Sequence, residues 1–590
     1  MEEDDVANIS IGIPSDGYIE DNISGFDKKT GNLWIYPTNY PIRDYQYNIV
    51  QQSLFKNTLV VLPTGLGKTF IAAVVMYNLY RWFPQGKIVF MAPTKPLVAQ
   101  QINACYNIMG IPKEDTVEMT GTMPPTVRQK AWREKRVVFL TPQVITNDLS
   151  RGSCTAESIK CLVVDEAHKA VGNHSYCQVV IRELVKFARQ FRVLALSATP
   201  GGDLKAVQQV INNLLISHIE LRTEESIDIR SYTHVRKVDK IVVPLGEELT
   251  GVRLQYIQIM TCVVQRLIRN KVVYNRDATK LSKFLLLKSR EEFRQNPPQN
   301  LQQAQFGNIE ADFALAISLY HGFELLQLHG LKSLYNYLMG IISGDKGYGR
   351  TRSELLRNAD FNDIMENLRQ KFSASGLQGC AASVDCKLAV GHPKMQRLEE
   401  IVVEHFSSFE KKGLETRVMI FSQYRDSVQE IASILQQHHP LVKVMPFIGQ
   451  SSAGKATKGY TQKEQLMVMK KFREGGYNTL VSTCVGEEGL DIGDVDLIIC
   501  FDAHKSPIRL VQRMGRTGRK REGRIVMLVT EGKEEQIYNQ SQCSKRSIHK
   551  AILNGARSLH FYPNNPRMVP SSIHPKCHKM FITVSTDSKN

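Results

Sequence analysis

Glycine, lysine and threonine fall close together near the start of the chain, in a spacing that suits phosphate binding. The β-branched apolar run 58–61 predicts a buried strand before them, and the apolar run 70–76 predicts a buried helix after them. Gly65 and Gly67 permit tight turns that a Cβ would block, and amides at a helix N-terminus attract anions. The predicted nucleotide loop comprises Leu62, Pro63, Thr64, Gly65, Leu66, Gly67, Lys68 and Thr69. Lys68 would reach the β- and γ-phosphates and Thr69 would hold Mg²⁺. Leu62 replaces the glycine of the strict pattern. The alternative is therefore a turn that ends in Gly-Lys-Thr by chance and binds no phosphate.

Two adjacent carboxylates, Asp165 and Glu166, directly follow the apolar run 161–164. A carboxylate at the end of a buried strand can bind Mg²⁺ beside the phosphates, and its neighbour can deprotonate the attacking water. We therefore expect Asp165 to be a metal ligand and Glu166 the general base. The alternative is a pair of acidic residues that caps the next helix.

Arginines recur three residues apart in Gln512-Arg513-Met514-Gly515-Arg516-Thr517-Gly518-Arg519. Guanidinium groups offered by a second domain can stabilise the charge that develops on a γ-phosphate. A basic surface loop is the alternative.

The elements that must position these residues are short apolar strands that alternate with helical stretches, from residue 59 to 221 and again from 393. Such strands predict parallel sheets covered on both faces, with chemistry at their carboxyl ends. Helical periodicity dominates between the two regions. The predicted fold class is α/β, with two parallel-sheet domains and a helical insertion between them. The predicted segments are a flexible tail at 1–35, a first domain at 36–230, an insertion at 231–392, a second domain at 393–560 and a tail at 561–590.

Composition points to a polyanionic partner. The 590 residues carry a formal net charge of +17, which favours nucleic acid, although a solubility surplus is the alternative. Basic residues are dense in the stretch 261–300, which is either a nucleic-acid contact or a solvated helix face.

The sequence also predicts a soluble intracellular protein without structural zinc. It has eleven cysteines but no Cys-x-x-Cys pair, it starts with acidic residues, and it has no apolar run of membrane-spanning length.

Four motifs occur in one characteristic order: Gly-Lys-Thr at 67–69, Asp-Glu-Ala-His at 165–168, Ser-Ala-Thr at 197–199 and the arginine motif at 512–519. Together with 421–425 and 483–492, they resemble the motifs of superfamily-two helicases. The likeness extends over about 36–575 and is greatest to the Hef branch of that superfamily. It implies two RecA-like domains with ATP between them.

The resemblance also assigns roles. It implies that Gln512 positions the γ-phosphate or water, that Arg516 and Arg519 are arginine fingers, and that Gly489 and Asp491 contact nucleotide; Arg513 is assigned only an ordering role. Gln46, which precedes the nucleotide loop, is an adenine-reading candidate, although a surface glutamine is the alternative. The implied contacts to the DNA backbone are Thr94, Lys95, Pro96, Gly121, Thr122, Thr141, Pro142, Ser422, Gln423, Arg425 and Thr483.

The function implied is an ATP- and Mg²⁺-dependent translocase on double-stranded and branched DNA. It would remodel forks and four-way junctions by branch migration or fork reversal, in the nucleus, during interstrand-crosslink repair. Partners of the Fanconi anaemia core complex and histone-fold type would bind mostly through regions outside this chain. The alternatives are an RNA-stimulated ATPase or RNA sensor of the RIG-I-like type, and a scaffold built on an inactive motor.

Overall fold

A computed structural model describes residues 23–234, 236–275, 277–297, 302–344, 349–373, 392–449, 460–483, 492–504, 506–515, 517–518 and 521–583. The chain divides into two compact units. The first combines Met1–Ile229 with Lys550–Asn590, and the second is Arg230–His549.

The first unit is built on a seven-stranded sheet whose paired strands are all parallel. In spatial order the strands are Thr116–Met119, Val137–Leu140, Lys87–Met91, Ile159–Val164, Arg192–Ser197, Thr58–Val61 and His218–Leu221. The five central strands are the ones predicted from continuous apolar runs. The two edge strands were not predicted, because Thr-Val-Glu-Met and His-Ile-Glu-Leu mix polar with apolar residues, as befits a half-covered edge.

Helices cover this sheet, and most follow a strand directly in the chain. They are Asp44–Phe55, Lys68–Trp82, Lys95–Met109, Pro125–Glu134, Pro142–Ser150, Ser175–Cys177, the π-helical Gln178–Leu184, Val185–Phe187, Leu204–Asn213 and Ile227–Arg230. This alternation brings the residues after each strand to one edge of the sheet.

The second unit contains a six-stranded sheet, and its strands are also parallel. In spatial order they are Val444–Phe447, Thr479–Ser482, Val418–Phe421, Leu497–Cys500, Gly523–Thr530 and Arg236–Val243. The helices of this part are Pro393–Lys411, Arg425–Gln436, Gln462–Arg473, Pro507–Met514 and Lys533–Leu553. The predicted α/β class with two parallel sheets is confirmed.

One edge strand changes the predicted boundary of the insertion. Arg236–Val243 pairs along its whole length with Gly523–Thr530, so it belongs to the second sheet although the sequence placed it in the insertion. Four charged residues interrupt its valines and isoleucine, which hides the strand from a search for continuous apolar runs.

The insertion itself begins at the next helix and has a core of its own. Its helices are Glu247–Arg269, Lys283–Gln295, Gln303–Ile342, Gly349–Leu356 and Ala359–Ser373. Tyr256, Phe313 and Phe361 are fully buried there. The stretches 295–308 and 344–391 are rich in Gly, Pro, Ser, Asn and Gln, which favours loops, yet helices start within them at Gln303, Gly349 and Ala359. Residues 374–391 lie outside the described part.

The two predicted tails are also corrected within their described residues. Leu33–Pro37 and Lys576–Met580 pair as a two-stranded parallel sheet, and the Phe26 ring lies 5.7 Å from the ring of Phe83. Met568 and Val569 are buried in the core of the first unit. The apolar Leu-Trp-Ile-Tyr-Pro run explains why the first tail ends in a strand. Among the described helices, none combines the length and apolar character that crossing a bilayer requires.

Candidate nucleotide site and helicase motifs

The nucleotide loop joins a buried strand to a buried helix, as predicted. Gly65 and Gly67 have φ angles of +88° and +84°, in the left-handed region that favours glycine. A Cβ on Gly67 would lie 2.3 Å from Nε2 of Gln46, so a side chain at that position would displace the Gln46 amide. The Lys68 ammonium donates to the carbonyl of Leu62 over 2.8 Å and thus folds back across the loop. The geometry suits an anion bound by backbone amides and one lysine.

Gln46 and Tyr45 support the loop from the preceding helix. The Gln46 amide donates to the carbonyl of Leu66 over 3.0 Å, and the Tyr45 hydroxyl donates to the same oxygen over 2.9 Å. Both residues are buried. The adenine-reading role of Gln46 therefore remains a prediction. Its observed hydrogen bond to Leu66 holds the nucleotide loop in place.

Asp165 and Glu166 stand at the carboxyl end of the strand Ile159–Val164. Burial raises the pKa of the Asp165 carboxyl, the charge of Glu166 raises it further, and the nearby Lys68 ammonium opposes the shift. Glu166 has φ +51°, a left-handed conformation uncommon for a side-chain-bearing residue, and its amide donates to Asp165 Oδ1 over 3.0 Å. A buried carboxylate with a raised pKa gains from a bound cation, which is the behaviour of a metal ligand.

The acidic motif is linked to the Ser-Ala-Thr motif through His168. Its Nδ1 lies 3.0 Å from Ser197 Oγ and 3.4 Å from Glu166 Oε2. The Ser197 hydroxyl donates to the carbonyl of Thr199. Glu166 Oε2 is buried and has no hydrogen-bond partner among the described residues. A buried acceptor oxygen without a partner can accept a hydrogen bond from a water molecule or from a ligand.

Sequence reasoning missed Gln101. The Thr69 hydroxyl, the predicted Mg²⁺ ligand, donates to Gln101 Oε1 over 2.8 Å. Gln101 lies on the helix Lys95–Met109, whose first residues are predicted DNA contacts. No motif spacing marks Gln101, so only the fold connects it to Thr69.

The arginine motif lies after the strand Leu497–Cys500 of the second sheet. Arg513 is 2% exposed, its guanidinium lies 5.2 Å from the Phe421 ring, and it donates to the carbonyl of Asp502 over 3.3 Å. Gln512 is buried on the same helix, Pro507–Met514. The predicted site residues Arg516, Arg519, Gly489 and Asp491 lie outside the described residues.

Comparison with known proteins agrees with this arrangement of motifs. Residues 39–202 match the family "Type III restriction enzyme, res subunit", and residues 393–521 match "Helicase conserved C-terminal domain". The chain is 57% identical to the mouse Fanconi anemia group M protein homolog over 99% of this chain and 29% of that protein. It is 42% identical to the ATP-dependent DNA helicase mph1 of Neurospora crassa over 94% of this chain and 47% of that protein.

A solved structure decides the family. The Hef helicase domain of Pyrococcus furiosus is 30% identical, with a TM-score of 0.62, over 85% of this chain and 98% of that one. The chain belongs to the Hef and Fanconi anaemia group M family of superfamily-two helicases. The predicted family and the predicted class, a superfamily-two helicase ATPase, are both confirmed. The chain spans less than a third of the mouse relative and less than half of the fungal one.

In this Hef-family chain, the predicted DNA contacts differ in exposure. Thr94, Lys95, Gly121, Thr122 and Gln423 are exposed, and Pro96, Thr141 and Arg425 are half-buried. Pro142, Ser422 and Thr483 are buried. The hydroxyl of Ser422 donates to Asp502 over 3.1 Å and its amide donates to Ser482, so this residue is engaged within the domain. The geometry favours the exposed members for contact with a DNA backbone.

The basic stretch of the insertion also divides into two sets. Arg266 pairs with Asp312 and Glu354, and Arg290 and Arg294 both pair with Glu310. These pairs hold helices of the insertion together. The described basic residues of the stretch outside these pairs are Arg269, Lys271, Lys280, Lys283 and Lys288. Arg276 lies outside the described residues.

Proposed function

We propose that this chain is an ATP-driven translocase that moves on double-stranded DNA and remodels branched DNA. The observation that carries the proposal is the convergence of Lys68, Asp165 and Glu166 at one edge of the first sheet. In support, the fungal relatives are named ATP-dependent DNA helicases. The net charge of +17 favours a polyanionic track.

The first unit supplies the groups that hold the triphosphate. The amides of residues 65–69 and the Lys68 ammonium bind the phosphates once Lys68 exchanges the Leu62 carbonyl for a phosphate oxygen. Gln46 and Tyr45 keep the loop open for that exchange, since both bind Leu66. Glu166 takes a proton from the attacking water, and its Oε2 is an acceptor that the described protein leaves without a hydrogen bond.

The site also fits a magnesium ion. Thr69 offers a hydroxyl and Asp165 a buried carboxylate, which are the oxygen ligands that Mg²⁺ prefers. When bound, Mg²⁺ would offset phosphate charge during hydrolysis. It would also relieve the cost of burying the Asp165 charge.

We propose that residues of the second unit act on the same nucleotide. We assign Gln512 to positioning the γ-phosphate or water, and Arg516 and Arg519 to stabilising the charge of the transition state. Gly489 and Asp491 would contact nucleotide from the same side. ATP would bridge the two sheets and favour their closure, and hydrolysis would remove that bridge, so the sheets would alternate their grip on DNA.

The proposed substrates are forks and four-way junctions, remodelled by branch migration or fork reversal. In support, the chain is similar over nearly its full length to proteins named for Fanconi anemia group M. On the same ground we propose a nuclear role in interstrand-crosslink repair. Fanconi core-complex and histone-fold partners would bind mainly outside this chain.

An RNA-stimulated ATPase is the second candidate, because the Arabidopsis relative, 46% identical, is named an ATP-dependent RNA helicase. The test is ATP hydrolysis with a four-way junction, duplex DNA, single-stranded DNA and duplex RNA at matched nucleotide concentration. We expect the junction to stimulate most. Greater stimulation by duplex RNA would favour the second candidate and overturn the DNA assignment.

A further inference from the structure

The longest helix of the insertion, Gln303–Ile342, is broken beside a buried histidine. Gly330 has φ +84° and ψ −168°, outside the helical region. This backbone conformation favours glycine. His329 immediately precedes the break and is fully buried. The break therefore sets the position at which the imidazole packs against the domain that contains the second sheet.

His329 contacts the helix that follows the strand Val418–Phe421. Its Nδ1 shares a 2.6 Å hydrogen bond with Ser427 Oγ, and its ring centroid lies 4.3 Å from that of Tyr424. Burial and the charge of Lys394 hold the pKa of His329 well below its usual range, so the imidazole is neutral. Its Nε2 has no hydrogen-bond partner in the described part of the chain. Burying an unpartnered nitrogen costs free energy that an apolar side chain of similar size would not incur.

A second buried group fixes Phe501, the residue that the His329 ring faces at 6.2 Å. The Lys394 ammonium donates to the Phe501 carbonyl over 2.6 Å and lies 4.8 Å from its ring. Lys394 also forms a 2.9 Å ion pair with Glu534, and both side chains are essentially inaccessible. Glu534 in turn accepts the amide of Ala503. This buried network holds the backbone on both sides of Asp502.

Asp502 connects that point to the arginine motif. Its Oδ2 accepts hydrogen bonds from the Ser422 hydroxyl over 3.1 Å and from the Gln423 amide over 2.6 Å. Its carbonyl accepts from Arg513 over 3.3 Å. Arg513 lies on the helix that leads in sequence to Arg516 and Arg519. A continuous set of buried contacts thus runs from the insertion to the arginine motif.

We propose that His329 is a positioning residue that couples the insertion to the arginine motif, so that nucleic acid held by the insertion sets the rate of ATP hydrolysis. The proposal rests on the proposed function, because it assumes a nucleic-acid-stimulated ATPase. Nucleic acid that favours one position of the broken helix would shift Tyr424 and Phe501. That shift would move Asp502, and with it the orientation of Arg513. This coupling changes kcat and leaves the contacts that bind ATP and DNA unchanged.

The test compares His329→Leu, Ser427→Ala and His329→Asn in the full chain. Leucine fills the space without the hydrogen bond, whereas the asparagine amide reaches the position of Nδ1. We expect His329→Leu and Ser427→Ala to lower the junction-stimulated kcat at least about fivefold. KM for ATP, junction affinity and hydrolysis without nucleic acid should stay unchanged. His329→Asn should keep most of the stimulation.

Tyr256→Phe is the matched control. Its hydroxyl donates to the Leu319 carbonyl over 3.1 Å on the same long helix, inside the core of the insertion. It therefore removes one buried hydrogen bond from the insertion without touching the contacts to Tyr424 and Phe501. The double variant His329→Leu/Ser427→Ala should lose no more stimulation than either single variant, because all three break the same bond.

Three outcomes separate the possibilities. Loss of stimulation in the His329 and Ser427 variants, but not in Tyr256→Phe, supports the coupling. Equal loss in Tyr256→Phe, or unchanged stimulation in both His329→Leu and Ser427→Ala, overturns it while leaving the proposed function standing. A wild-type chain that no nucleic acid stimulates refutes the proposed function itself.

Discussion

Asn565, in the segment predicted to be a tail, should be a main anchor of the first unit. Its Oδ1 accepts from the Asn57 amide over 2.8 Å, from Ser217 over 2.9 Å and from Arg192 over 3.1 Å. Its Nδ2 donates to the Phe55 carbonyl over 2.9 Å. Each hydrogen bond contributes about 1 kcal/mol net, and orphaned buried partners add to the cost. Asn565→Ala should therefore lower the free energy of unfolding by about 3–5 kcal/mol.

Tryptophan fluorescence can follow this unit alone. Trp34, Trp82 and Trp132 are the three tryptophans of the chain, and all are buried in the first unit. A loss of that size should lower the urea midpoint of the fluorescence transition by about 1 M or more. The exposed neighbour Asn564 provides the matched control, Asn564→Ala, which should change the midpoint little. Equal midpoints for the two variants would refute the anchoring role.

Further predictions concern the nucleotide site and the insertion. Gly67→Ala should abolish ATP binding, because the new Cβ would lie 2.3 Å from Gln46 at a left-handed backbone position; equilibrium binding of a fluorescent ATP analogue would measure this, and retained affinity would contradict it. Gln101→Ala frees the Thr69 hydroxyl and should tighten Mg-ATP binding by about fivefold, the value of one net hydrogen bond; unchanged affinity would mean that this bond does not compete with Mg²⁺. Replacing the basic residues of the insertion that lie outside its interhelical ion pairs by glutamine should weaken junction binding and flatten its salt dependence; an unchanged salt slope would mean that these residues form only a solvated face. That set is Arg269, Lys271, Lys280, Lys283 and Lys288.

The central strands and the motif positions could be predicted because their physical signals are local. The runs 58–61, 161–164 and 497–500 are continuous and apolar, which marks a strand covered on both faces. The residues that follow such strands gather at one edge of a parallel sheet. Lys68 and Asp165 could therefore be brought together from the sequence alone.

The remaining features depend on contacts between distant parts of the chain. Arg236–Val243 mixes charged with apolar residues and becomes a strand only because Gly523–Thr530 offers an edge. Lys576–Met580 needs Leu33–Pro37 as its partner in the same way. Gln101 carries no motif, and its meeting with Thr69 follows from the packing of two helices.

We propose that Lys68, which begins a helix of the first unit, and Arg516 of the second unit act on one ATP molecule. The most direct measurement is junction-stimulated ATP hydrolysis by Lys68→Arg and Arg516→Ala, with junction binding measured in parallel. We expect each variant to lose stimulated hydrolysis, by about a hundredfold or more, while still binding the junction. Stimulated hydrolysis at the wild-type rate in either variant would contradict it.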